Sequence, residues 1–79
     1  MKYEFDYSKL KGRIVEKCDT QNNFSIKLGM SPQVLNKRLQ NEVQFNSSEI
    51  LRIAEILEIP KEDITDYFFT EKVEKSQEN

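Results

Sequence analysis

The sequence predicts an all-α domain of five helices, with a helix-turn-helix at the second and third, and three features carry that expectation. In residues 20–39 two apolar i,i+4 pairs, Phe24 with Leu28 and Leu35 with Leu39, are separated by Gly29 and the restart Ser31-Pro32. In residues 46–57, Asn46-Ser47-Ser48-Glu49 reads as a capping box ahead of the stripe Ile50, Ile53, Ala54 and Leu57. Beyond it, Ile59-Pro60 breaks that helix. Lys61-Glu62-Asp63 then opens another with acids in its first turn, where they oppose the positive end of the helix dipole.

The first helix is expected to start at Ser8 as its cap, with Leu10, Ile14 and Val15 turned inward and Lys9, Lys11, Arg13 and Lys17 wet. Gly12 inside it weakens the helix by up to ~1 kcal/mol relative to alanine, and a close helix-helix approach is one reason for a glycine there. Cys18-Asp19 make the turn into the second helix, where the Thr20 hydroxyl takes an orphan amide of the opening turn. Gly29 accepts the left-handed backbone of that helix's end, and Ser31-Pro32 serve as N-cap and first position of the third. Leu35 and Leu39 form the inner face of the third helix. Gln33, Asn36 and Lys37 fall at i, i+3, i+4 on a largely opposite face and bring two amides and an ammonium, groups that suit base edges. The plainer role for the same three is a solvated helix face.

Between Gln40 and Asn46 the periodicity is lost, and Phe45 is expected to plug the core from an extended linker. In the fifth helix Phe68 points inward four residues after Ile64. Tyr67 and Phe69 are then left on flanking directions toward the surface, which marks them as a self-association or partner surface. The domain is placed at residues 1–69, with 70–79 a polar, acidic, lysine-bearing tail that is frayed or disordered.

At 79 residues the chain makes one domain, of a size that buries only ~60% of the surface its unfolded form exposes. Cys18 is the single cysteine and there is no histidine, so an intramolecular disulfide and a zinc site are both excluded, and a free thiol in a reducing cytosol is expected. No apolar run approaches the ~20 residues that span a bilayer, and Met1-Lys2-Tyr3-Glu4-Phe5-Asp6 lacks the order of a signal peptide. The expectation is a soluble cytoplasmic protein of a bacterial host cell, without membrane contact. It is not an enzyme: the cysteine lacks a histidine base, no Gly-rich phosphate loop is present, and no catalytic residue, metal ligand or cofactor is assigned. The net charge of −2 conceals a polarity, since residues 8–41 hold seven basic side chains against two acidic, and residues 42–79 four against ten. A basic lobe beside an acidic one suits an oriented approach to phosphates, or equally to an acidic protein.

Five helices, a hinge glycine at helix two, and an Ile-Pro step before a last helix ending in Tyr67-Phe68-Phe69 together resemble the lambda-repressor-like domains of phage Cro and repressor proteins, over residues 5–69. More closely, Phe5-Asp6-Tyr7-Ser8-Lys9-Leu10-Lys11-Gly12-Arg13-Ile14, Thr20-Gln21 and Asp66-Tyr67-Phe68-Phe69 resemble a family of small, mostly uncharacterised regulators from prophages of Gram-positive bacteria. By this resemblance Gln21 is similar to the glutamine that opens helix two and grips a DNA phosphate. Gln33, Asn36 and Lys37 occupy recognition-helix positions that touch base edges, and Asn41 sits where backbone contacts are made. Lys9, Arg13, Lys27 and Lys37 would add phosphate attraction. Three residues depart from the pattern. Ser25 replaces the usual alanine but is still small, and Ile26 is apolar where a polar residue is common. Arg38 replaces a buried apolar side chain and either snorkels to a phosphate or is solvated.

On this reading the chain is a sequence-specific, Cro-like DNA-binding transcriptional regulator of phage type. It lays residues 32–39 in the major groove of double-stranded operator DNA as one half of a homodimer, and each good base contact contributes ~1–3 kcal/mol. The alternative is an antirepressor-type protein-interaction module. Such a module keeps the fold but uses its acidic half or aromatic end to bind another regulator, a partner repressor.

Overall fold

The computed structural model describes residues 4–72. Five helices follow in order: α1 Ser8–Cys18, α2 Gln21–Leu28, α3 Pro32–Leu39, α4 Ser47–Leu57 and α5 Ile64–Phe68, the last preceded by a 3-10 turn over Lys61–Asp63. Among the described residues there is no strand, only an isolated antiparallel bridge of Phe5 with Glu71. Helix α1 packs on α2, α4 and α5, and α2 packs on α3 and α4. Each helix delivers its apolar stripe to one core: Leu10 and Ile14 from α1, Phe24 and Leu28 from α2, Leu35 and Leu39 from α3, Ile53 and Leu57 from α4, and Phe68 from α5.

The helix-turn-helix forms for the local reasons its residues suggest. Thr20 Oγ1 accepts the Asn23 amide at 3.0 Å, and Ser31 Oγ accepts the Val34 amide at 3.2 Å, so both helices start on a side-chain cap. Gly29 sits at φ 79°, and its amide and that of Met30 both reach the Ser25 carbonyl, at 2.9 and 3.0 Å, closing the end of α2. Ser25 is buried and donates its hydroxyl to the Asn22 carbonyl at 2.8 Å, which satisfies the one polar side chain in the core. The capping box of α4 is complete: Asn46 Oδ1 accepts the Glu49 amide at 2.8 Å and Glu49 Oε1 accepts the Asn46 amide at 3.0 Å.

Four details differ from expectation. Ser8 is the first residue of α1 rather than its cap, and its amide is taken by Asp6 Oδ1 at 2.9 Å; hydrogen bonding by the Ser8 hydroxyl, and then by this amide, holds the Asp6 carboxyl below its ordinary pKa. Val15 points to solvent, because Leu10 and Ile14 define the inner direction and their neighbour lies ~100° away. Gly12 faces open space, with nothing within 4 Å of where a Cβ would be, so no close helix approach inside the domain accounts for it. The turn at Lys61 is 3-10 and becomes α-helical only at Ile64.

The extended start is tied down by pairing and by aromatic contact. The Asp6 amide donates to the Thr70 carbonyl at 2.7 Å and the Lys72 amide to the Glu4 carbonyl at 3.0 Å. Phe69, Phe5, Tyr7, Phe45 and Phe68 follow one another as a chain of ring contacts, with centroids 5.5–6.3 Å apart, three of the four contacts edge-to-face. Phe45 is the plug expected of it. Of the tail assigned to residues 70–79, residues 73–79 lie outside the described residues.

Candidate functional site

Helix α3 displays Gln33, Asn36 and Lys37 on its exposed side, opposite the buried Leu35 and Leu39. Lys27 is exposed on α2 and Gln21 is half-buried at its start. The remaining residues expected to meet phosphate are engaged within the molecule. Arg13 Nε donates to the Leu57 carbonyl at 2.9 Å and its Nη2 to the Glu58 carbonyl at 2.8 Å, so its guanidinium closes the C-terminus of α4, where unsatisfied carbonyls and the helix dipole both favour a cation. Lys17 completes that end with a 2.9 Å bond to Glu58 Oε1, and this bond holds the Glu58 carboxyl below its ordinary pKa.

Arg38 neither snorkels outward nor stands solvated. Its Nε donates to Glu49 Oε1 at 2.9 Å, with both side chains largely shielded from water. Burial alone would push the Glu49 carboxyl up, but the bonds from Arg38 and the Asn46 amide outweigh it and leave the group below its ordinary pKa. Lys9 lies 4.0 Å from Asp66 Oδ2 and 5.0 Å from the centroid of the Tyr67 ring. Asn41, at φ 66°, turns its side chain onto Phe5: Oδ1 accepts the Phe5 amide at 2.9 Å and Nδ2 donates to the Phe5 carbonyl at 3.0 Å. The carboxamide thus pairs with Phe5 as a neighbouring strand would. None of these partners announces itself locally, since Glu49 is read from sequence only as a cap.

At the other end of the molecule Tyr67 is half-buried against the core, while Phe69 is 47% exposed and rests edge-on against Phe5 at 5.7 Å. The two aromatics flank the buried Phe68, as their spacing requires. Among the described residues no cluster of His, Cys, Asp or Glu can hold a metal ion, Cys18 is a buried free thiol, and no helix is long and apolar enough to cross a membrane.

Comparison with solved structures finds a protein similar over most of this chain. It is the modulator of repression (MOR) of the temperate bacteriophage TP901-1 from Lactococcus lactis, known from its solution structure. The two are 43% identical, with a TM-score of 0.77 over 89% of this chain and 95% of that one. No protein of curated function matches. The match overturns the reading of the chain as a Cro-like operator-binding regulator with double-stranded DNA as its partner and a homodimer on it, because the similar protein is a modulator of repression. Residues 3–71 match the model of DUF739, a family of proteins of unknown function, and the chain belongs to that family.

Proposed function

We propose that this chain is a protein-interaction module, without enzymatic activity, that binds another transcriptional regulator of repressor type in the host cytoplasm and modulates it. The observation that carries this reading is the 43% identity to a modulator of repression across nearly the whole chain. The internal engagement of Arg13, Arg38 and Asn41 agrees with it, because these groups already serve the fold. The frame keeps the helix-turn-helix of lambda-repressor-like domains and turns it to a different partner. The aromatic end supplies the contact: Phe69 offers an exposed ring backed by a chain of packed rings, with Tyr67 beside it, and such preorganised aromatics are favoured anchors in protein interfaces.

The test is calorimetric titration of the purified chain into the repressor-type protein encoded nearest to it in its own genome. The expected result is a saturable complex, weakened roughly tenfold or more by Phe69→Ser and by Tyr67→Ser/Phe69→Ser, with melting curves recorded for each variant. Sedimentation of the chain alone separates this contact from self-association through the same rings. No complex with wild type rejects the reading, and a complex indifferent to Phe69→Ser rejects the aromatic end as its seat.

A further inference from the structure

Two residues that the fold leaves without a structural role line one depression between α1 and α2. Val15 is 56% exposed and Ile26 is 72% exposed, and both line this depression together with Glu16, Asp19, Asn23 and Lys27. Gly12 lies one turn before Val15 on the same side of α1, in the helix interior, where glycine is disfavoured and no neighbour in the domain requires it. An exposed glycine one turn from an exposed valine lets a second backbone approach α1 closely, which a side chain at that position would prevent.

The charges around the depression add direction. Glu16 is held by Arg13 at 3.5 Å and Lys17 by Glu58 at 2.9 Å. Asp19 and Lys27 are exposed and take part in no ion pair among the described residues. The apolar centre is therefore bordered by one unmatched anion and one unmatched cation.

We infer that the α1/α2 face built from Gly12, Val15 and Ile26 is a second docking surface of this module, and that its occupant is an amphipathic helix of the partner regulator. That helix crosses α1 at Gly12, seats an apolar i,i+4 pair between Val15 and Ile26, and carries a basic residue toward Asp19 and an acidic one toward Lys27. A groove between two helices matches the ridge of a third, and a partner of one net sign would leave one of the two border charges unpaired. The inference rests on the proposed binding of a regulator but uses a face separate from the aromatic end.

The experiment compares the full chain with Gly12→Gln, Ile26→Asp and Phe69→Ser, titrated calorimetrically into the same purified repressor-type protein. Each variant is also melted alone. Because the space around Gly12 is open, Gly12→Gln is expected to raise the melting temperature by a few degrees while weakening the complex roughly tenfold, opposite signs that a purely structural role does not produce. Ile26→Asp is expected to leave the melting temperature unchanged and weaken the complex to a similar degree. If both bind like wild type while Phe69→Ser is impaired, the α1/α2 surface is rejected and the regulator-binding function stands. Weakening by Gly12→Gln and Ile26→Asp with Phe69→Ser unimpaired supports this surface and rejects the aromatic end. No binding by wild type rejects both.

Discussion

Replacing Glu49 by alanine removes two interactions made by a single carboxylate oxygen: the 2.9 Å bond from Arg38 and the 3.0 Å bond from the Asn46 amide that completes the cap of α4. The side chains of Arg38 and Glu49 are each only 17% exposed, so their pairing lies between a surface ion pair of ~0–1 kcal/mol and a fully buried one whose breaking costs ~3–5 kcal/mol. A charge-assisted bond in such a setting contributes about 1.5–3 kcal/mol, and half of a capping box adds some tenths more. The expected loss is about 2–3 kcal/mol, a fall of roughly 10–20 °C in melting temperature for a domain of this size. Thermal and urea melts of wild type, Glu49→Ala, Arg38→Met and the double variant isolate the pair term. Glu55→Ala, an exposed acid on the same helix, is the reference and should change stability by no more than ~0.5 kcal/mol. If Glu49→Ala costs no more than Glu55→Ala, the argument fails. Acid adds a second reading. The Glu49 carboxyl is held below its ordinary value of 4.5 in the folded chain, because the bonds from Arg38 and the Asn46 amide outweigh the upward push of burial. Its contribution is therefore fully present above the unfolded-state value and is lost as pH falls through the lower folded one. The stability gap between wild type and Glu49→Gln should be constant at neutral pH and close progressively below about pH 4.5.

Two further outcomes concern the frame. Leu39→Ala, at a buried position of α3, should cost ~2–5 kcal/mol and lower the melting temperature sharply; melts indistinguishable from wild type would mean that α3 is rotated from the orientation described. Asn41→Gly keeps the left-handed backbone without strain but removes both bonds to Phe5, so stability should fall by about 1–2 kcal/mol. Hydrogen exchange of the Asp6 and Lys72 amides should accelerate with it, and unchanged protection would show that the clamp does not hold the terminal pairing.

Residue type and spacing alone fix whatever closes within one or two turns of chain. The Thr20 and Ser31 caps, the left-handed Gly29, the Asn46/Glu49 capping box and the i,i+4 pairs of α2 and α3 all link residues three or four apart. Their energetics are local, and residue type plus spacing suffices to read them. The tertiary structure alone decided what the charged and polar side chains are for. Arg13 meets carbonyls 44 and 45 residues away, Asn41 meets Phe5 across 36, and Arg38 finds Glu49 across a linker of no periodicity. A cation in a basic stretch looks available to any anion until packing brings a carbonyl or carboxylate to it. The +5 lobe of residues 8–41 was legible as charge, but not that Arg13, Lys17 and Arg38 within it are answered from inside the molecule while Lys27 and Lys37 stay on the surface. The same holds for apolar residues at the edge of a stripe. Val15 is adjacent to Ile14, and the packing of α2, α4 and α5 on α1 sets the inner direction along Leu10 and Ile14, which leaves Val15 a helical step away in water. Gly12 was visible as an anomaly in a helix, yet whether it served an internal contact or an open face depended on where the other four helices came to rest, because close approach is a property of two elements and not of one.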